Sequence, residues 1–287
     1  MDLESIVRVL IGLPIGPIRY YQQIGSTNSE AASWADRGAP NLALVIADEQ
    51  TAGRGRYGRK WYTPPCSALA FSLILRFSNQ YAAGRVKTTA FPENITRLTA
   101  LGSLAVCQAL RTKIDLPAQI KWPNDVLIKR RKVAGILAEA QWQGDLLNGV
   151  ILGIGINVTP ESVPHGEEIV FPATCVQSEL GRPTSRLELL RTVLECLLKW
   201  QTRWTRPEFL HTWEELLAFR GEWVNIITES DSNERGTHLG QVLGLDNQGS
   251  LRLLDRAGQE FRLCMGEIRL RPIELQEKEA EILIQSG

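Results

Sequence analysis

The sequence predicts an α+β domain followed by a small β-barrel. Three observations carry this. Residues 67–77 alternate: Leu69, Phe71, Leu73, Leu75 and Phe77 share one face, and Ala68, Ala70 and Ser72 share the other. That is a strand burying a large face and lining something with a small one. Residues 92–113 place Pro92 in a first turn and apolar residues at 95, 98, 101, 104 and 105, the repeat of an amphipathic helix. From Gly221 onward, short apolar runs alternate with Gly-containing turns, the spacing of a small barrel.

Composition bounds the function. The chain has 287 residues, room for one large domain and one small one. Lys plus Arg and Asp plus Glu both number 32, so the net charge is zero. That argues against a nucleic-acid partner, and any basic cluster needs a local reason. The five cysteines (Cys66, Cys107, Cys175, Cys196, Cys264) contain no C-x-x-C, which disfavours a disulfide framework or zinc site and fits a reducing compartment. His165, His211 and His238 lack ligand spacing. No apolar run has membrane-span length, and the start lacks the basic region of a signal peptide, so a cytoplasmic location is expected.

In chain order, residues 1–24 are too short for a domain. Residues 27–38 read as a helix, with Thr27 and Glu30 as a capping box and Gly38 at its end; simple capping would account for Ser26, Thr27 and Asn28. Residues 42–47, LALVIA, form a buried strand. Val126–Ile128 and Val133–Ala138 read as strands joined by Lys129–Lys132, making KRRK an exposed hairpin tip. Residues 149–158, GVILGIGINV, are apolar on both faces and belong at the centre of a sheet. Their Gly153 and Gly155 mark the close approach of a ligand or another backbone. Residues 160–183 read as irregular. Helices are expected at 186–204, opened by Ser185 and Glu188, and at 207–219. Strands follow at 222–228, 238–245, 250–255 and 259–270, with turns at Asp246–Gly249 and Asp255–Gly258 and a helical or frayed tail from Ile273.

The chemistry concentrates in residues 48–61, DEQTAGRGRYGRKW. Gly53, Gly55 and Gly58 interleave with Arg54, Arg56, Arg59 and Lys60. Glycine brings backbone N–H groups close to a ligand, and arginine offers a planar fork of donors to phosphate or carboxylate. The segment reads as an anion-binding loop that orders on filling; a solvated basic loop is the plainer alternative. It is not a dinucleotide fingerprint, because Pro64 and Pro65 follow and no acid occurs between Glu49 and Glu93. It is not a P-loop, because Arg59 and Trp61 stand where Lys and Ser or Thr belong. Lys121 beside Trp122 and Pro123, and Asn157 ending the glycine-bearing strand, complete the polar set. There is no G-x-S-x-G and no metal cluster. Electrostatic catalysis is indicated, suited to a carboxylate attacking a phosphate, with magnesium sharing the charge of a triphosphate.

GRGRYGRKW (53–61), KWPND (121–125), KVAGILAE (132–139) and GIGIN (153–157), with STN at 26–28 and Gln50, resemble the biotin protein ligases in order and spacing over about residues 18–272. The resemblance implies a mixed β-sheet catalytic domain of the biotin/lipoate ligase type over residues 1–219, with helices packed on it. It also implies an SH3-like barrel over 220–272 and a tail over 273–287. The implied activity uses ATP with Mg2+ to convert biotin to biotinyl-5′-AMP, then transfers it to a lysine of a biotin carboxyl carrier protein, as in acetyl-CoA carboxylase. Implied biotin contacts are Ser26, Thr27, Asn28, Gln50, Gly53, Arg54, Gly55, Arg56 and Lys121; Lys121 and Arg56 are the implied catalytic pair. Arg56, Trp61, Asn124 and Asn157 are implied on the nucleotide side, although Asn157 also suits a strand-end cap.

Two departures matter. Tyr57 stands where many bacterial members carry Arg, one charge fewer in the loop. Only about 20 residues precede the catalytic region, against the helix-turn-helix domain of repressor members, so a form without operator binding is expected. Two other readings share the features: a lipoate or octanoate attachment enzyme, disfavoured by the loop and by the absence of His from 1 to 164, and a non-catalytic biotin-sensing regulator. A homodimer through the sheet edge is common in this fold.

Overall fold

The computed structural model describes residues 1–76, 91–143, 146–164, 171–229, 235–263 and 268–272. Phe77, His165, Cys264 and the tail from Ile273 lie outside the described residues. Seven strands form one sheet: β1 (Ile18–Ile24), β2 (Leu44–Gln50), β3 (Ala68–Arg76), β4 (Ala118–Lys121), β5 (Asp125–Ile128), β6 (Arg131–Gln143) and β7 (Leu146–Asn157), in the order β1-β2-β3-β7-β6-β5-β4. Strands β1 and β2 are parallel and the other neighbours antiparallel, so the sheet is mixed. The parallel pair needs a crossover, and helix α2 (Thr27–Asp36) supplies it.

The alternation of β3 sorts the two faces. Leu69, Phe71 and Leu73 are buried in the main core with helices α1 (Leu3–Val9), α3 (Phe91–Lys113), α5 (Arg186–Trp200) and α6 (Pro207–Glu215). Leu98, Leu101 and Leu104, predicted on one stripe, are buried there; each contributes roughly 1.5–3 kcal/mol by leaving water. The opposite face packs on α2, where Ala31 and Ala35 meet Val45, Ile74 and Ile151. The short helix α4 (Val176–Leu180) ends at Gly181, whose φ is +72°.

A second, antiparallel sheet holds β8 (Trp223–Glu229), β9 (Arg235–Leu245), β10 (Leu251–Leu254), β11 (Glu260–Leu263) and β12 (Ile268–Pro272), in the order β11-β10-β9-β8-β12. Gly249 and Gly258 close its expected turns with φ of +88° and +77°, values a side chain rarely tolerates. The second sheet touches the first where the strand with Lys121 ends. Trp122 Nε1 donates to the Gly249 carbonyl at 3.0 Å, and Arg97 donates to the carbonyls of Thr205, Asn247 and Gln248.

Residues 1–24, too short for a domain, carry α1 and β1. Several expectations need correction. The Thr27–Glu30 capping box does not form. Ser26 is the N-cap residue, Glu30 pairs with Arg19 at 2.6 Å, and Thr27 turns toward Gln50. The helix predicted to 219 stops at Glu215, because Leu216 and Ala218 bond the edge of β4 at Ile120. The one at 186–204 stops at Trp200. Expected strand 259–270 is described as two, β11 and β12.

The candidate active site

Register places one row of small residues across the sheet. Ala47 pairs with Ala70, Ala70 with Gly155, Gly155 with Gly135, Gly135 with Asp125, and Asp125 with Lys121. Partners directly opposite share a face, so the row is a floor running from the α2 side to a lysine. Both glycines predicted to permit close approach do so. A Cβ on Gly155 would lie 2.4 Å from Nε1 and Cε2 of Trp61, and one on Gly153 would lie 2.0 Å from Asn28 Oδ1.

The Gly–Arg segment folds back on itself. Arg54 and Lys60 form an antiparallel bridge, Gly55 N donates to Arg59 O at 2.6 Å, and Trp61 N donates to Gly53 O at 2.9 Å. Gly53 is required here: a Cβ would lie 2.3 Å from the Trp61 carbonyl oxygen. The tip turns through Tyr57 and Gly58, with φ of 56° and 71°. This hairpin lays the Trp61 indole across Gly155 and Gly135. It also brings Arg56 to the KWPND segment: Nη1 donates to Asn124 Oδ1 at 3.3 Å, and Nη2 to the Tyr57 hydroxyl at 2.9 Å. Asn124 cannot turn away, because its Nδ2 donates to the Ile136 carbonyl at 3.2 Å.

At the other end of the floor sit Ser26, Thr27, Asn28 and Gln50. Gln50 Oε1 accepts from Thr27 N at 2.9 Å, and its Nε2 donates to Thr63 Oγ1 at 3.1 Å. Ser72, from the small face of β3, lies 2.8 Å from Thr27 Oγ1 and 2.6 Å from Asn28 Oδ1. Ser26 Oγ and Trp61 Nε1 are buried without a hydrogen-bond partner among the described residues. A buried unpaired polar atom costs about 1–3 kcal/mol, and a ligand bringing complementary groups would remove that cost.

Charge gathers at the lysine end. Asp125, with 13% of its side chain still exposed, sits between Lys132 at 2.6 Å and Lys121 at 3.5 Å. Burial pushes its carboxyl up, but the two lysine charges and their hydrogen bonds outweigh that and hold it below the usual carboxylate range. Lys121 Nζ also lies over the Phe171 ring, 4.3 Å from its centroid, and Lys132 Nζ lies 5.4 Å from that of Trp61. Among the described residues two lysines share this one carboxylate beside Arg56, an arrangement that gathers positive charge for an anionic ligand. Asn157 continues the Gly153–Gly155 face of β7 and is buried, donating from Nδ2 to Thr174 O at 3.0 Å. Among the described residues no group of three or more His, Cys, Asp or Glu could hold a metal ion.

Every expected site residue therefore lies along this floor or on the hairpin beside it. Four contributors escaped sequence reasoning. Lys132 was read as part of an exposed tip; Lys129 and Arg130 are the tip, each with positive φ, as a two-residue hairpin turn requires. Lys132 instead points inward to Asp125. Asp125 and Glu139 had no role either, and Ser72 stood only on the small lining face of its strand. The signal was available, since Asp125 ends KWPND and Lys132 and Glu139 bound KVAGILAE.

Comparison with known proteins agrees with this geometry. The profile of the biotin/lipoate A/B protein ligase family matches residues 20–157. A biotin–[acetyl-CoA-carboxylase] ligase of Paracoccus denitrificans is 34% identical, covering 82% of this chain and 93% of the relative. The bifunctional ligase/repressor BirA of Bacillus subtilis is 32% identical over 83% of this chain and 70% of its own. The biotin protein ligase of Aquifex aeolicus, solved with biotin and ATP, superposes with a TM-score of 0.70 at 30% identity, covering 90% of this chain and 99% of that one. Shared segments, shared sheet and relatives aligned over most of both lengths place this chain in the biotin/lipoate A/B protein ligase family.

Proposed function

We propose that the protein is an ATP-dependent biotin ligase that makes biotinyl-5′-AMP and passes the biotinyl group to a carrier lysine. The observation that carries this is the glycine-floored row ending in Lys121, Asp125 and Lys132. In the first step a biotin carboxylate oxygen attacks the α-phosphorus of ATP, and the bond to pyrophosphate breaks. Both reactants are anions, so bringing them together needs fixed positive charge. Lys121 and Lys132 supply it at the end of the row, and Arg56, held by Asn124, supplies it from the hairpin. In the second step the carrier's lysine amine attacks the acyl carbonyl of the mixed anhydride; AMP leaves and the amine loses a proton. The hairpin carrying Arg54, Gly55 and Arg56 shields that anhydride from water.

Ser26, Thr27, Asn28 and Gln50 take the ring end of biotin, Gly53 shapes the hairpin, and Trp61 and Asn157 flank the nucleotide. The relatives named as biotin–[acetyl-CoA-carboxylase] ligases support a biotin carboxyl carrier protein as the partner. The second antiparallel sheet is read as an SH3-like barrel over 220–272, after a catalytic domain over 1–219. The balanced charge supports a reading without nucleic acid. No described helix is long and apolar enough to cross a membrane. The test is exchange of labelled pyrophosphate into ATP with magnesium, biotin and lipoate assayed in parallel. Exchange with biotin alone is expected. Exchange with lipoate alone would make the protein a lipoate enzyme, and tight biotin binding without exchange would make it a regulator.

A further inference from the structure

Asn28 is held from three sides. Its Nδ2 donates to Glu139 Oε2 at 2.7 Å and lies 3.4 Å from the Leu137 carbonyl; its Oδ1 accepts from Ser72 at 2.6 Å. A primary amide has a donor end and an acceptor end, and its neighbours decide which way it sits. Ser72 does not decide, because a hydroxyl both gives and takes. Glu139 is the stronger determinant, because a carboxylate paired with Arg54 at 2.7 Å only accepts and lies 2.7 Å from Nδ2, whereas the Leu137 carbonyl, which favours the same sense, lies at 3.4 Å.

The consequence runs along the row. With Nδ2 committed to Glu139, Asn28 turns its oxygen to Ser72, which spends its single proton there. Ser72 then offers only lone pairs to Thr27 Oγ1, 2.8 Å away. Gln50 Oε1, 3.1 Å from the same hydroxyl, is fixed as an acceptor by the Thr27 N–H. Thr27 therefore directs its one proton inward, to Ser72 or Gln50, and presents an oxygen lone pair to a ligand. The reverse polarity would set Asn28 Oδ1 against Glu139 Oε2 at 2.7 Å, two acceptors in contact.

We propose that Glu139 is a positioning residue that sets ligand class. By orienting Asn28 it polarises the Asn28–Ser72–Thr27 row to take N–H donors, selecting a cyclic urea over a ring with no N–H, such as a dithiolane. This rests on the reading of the protein as a biotin ligase.

The test is calorimetric titration of biotin, desthiobiotin (the same cyclic urea without the sulfur ring) and lipoate. It uses the wild type, Glu139→Ala, Glu139→Gln, Asn28→Ala and the Asn28→Ala/Glu139→Ala pair. Glu139→Ala is expected to weaken biotin and desthiobiotin alike by about tenfold or more, the scale of one lost buried hydrogen bond, and to narrow the preference over lipoate. Glu139→Gln, which keeps a carbonyl acceptor, is expected to restore binding to within about threefold of wild type. The double variant should bind biotin no worse than Asn28→Ala alone, because Glu139 acts through Asn28. That variant leaves no orphaned amide, so it carries the test if Glu139→Ala does not fold. Wild-type affinity in Glu139→Ala, a Gln variant as weak as Ala, or a double variant with the summed losses would each overturn the proposal. A wild type that fails to bind biotin would instead overturn the ligase reading beneath it.

Discussion

Replacing Asp125 by Asn removes the carboxylate that lies between two lysines at the end of the floor. At 2.6 Å and 3.5 Å, the gross attractions are roughly 6 and 5 kcal/mol at an effective dielectric constant of about 20. Desolvation of the buried carboxylate offsets several kcal/mol of that sum. Removing one partner of a buried pair costs about 3–5 kcal/mol, because the charges left behind are uncompensated. Lys132 keeps a quarter of its side chain in water, 26% against 11% for Lys121, and can turn outward, so the loss falls at about 3 kcal/mol, the low end of that range. Urea denaturation of both proteins, followed across pH, measures it. The folded-state pKa of Asp125 is depressed. Its stabilisation is therefore fully present above the unfolded value of about 3.9 and lost as the pH falls through the folded value. The gap between wild type and Asp125→Asn should be widest near neutral pH and close in acid. An Asn variant as stable as wild type at pH 7, or a gap that widens on acidification, would refute the argument.

Gly155→Ala puts a Cβ 2.4 Å from the Trp61 ring, about 1 Å inside normal carbon contact. Trp61 sits on the hairpin and can swing away, so the stability loss should stay near 1 kcal/mol, the low end for overpacking, while the KM for ATP rises about tenfold. Steady-state kinetics beside a thermal melt separate the two; an unchanged KM would remove Trp61 from the nucleotide side. Lys121→Met and Lys132→Met should each slow pyrophosphate exchange by at least about a hundredfold at saturating substrates, if each supplies a fixed charge of the usual strength to the transition state. A Lys132→Met protein exchanging at the wild-type rate would leave Lys121 as the sole cation of the pair. Trp122→Phe deletes the N–H that reaches Gly249 O at 3.0 Å and should cost about 1–3 kcal/mol in urea denaturation. An unshifted midpoint would show that this bond does not join the two sheets.

The features legible in the residues alone are local and periodic. The alternation of 67–77 fixed which face of β3 enters the helical core. The apolar repeat of 92–113 marked α3 as a helix, although the fold buries it on almost every side between residues 95 and 110 rather than along one stripe; the glycines at 153 and 155 announced close approach before anything was known to approach. Such features depend on neighbours two to four residues away, and the residues themselves display them. The remaining contacts join partners far apart in the chain and arise only in the fold. Asn28 meets Glu139 across 111 residues and Ser72 across 44, separations that no periodicity encodes. Thr27 looked like a helix cap because capping is its commonest local use, but the fold places Gln50 within reach of its hydroxyl. Lys132 looked exposed because three cations precede it. A bulge in β6 opposite Val126 and Leu127 interrupts the alternation of side chains and turns it inward to Asp125. Sequence supplied the chemical groups and the strands that carry them; sheet register determined which of those groups meet.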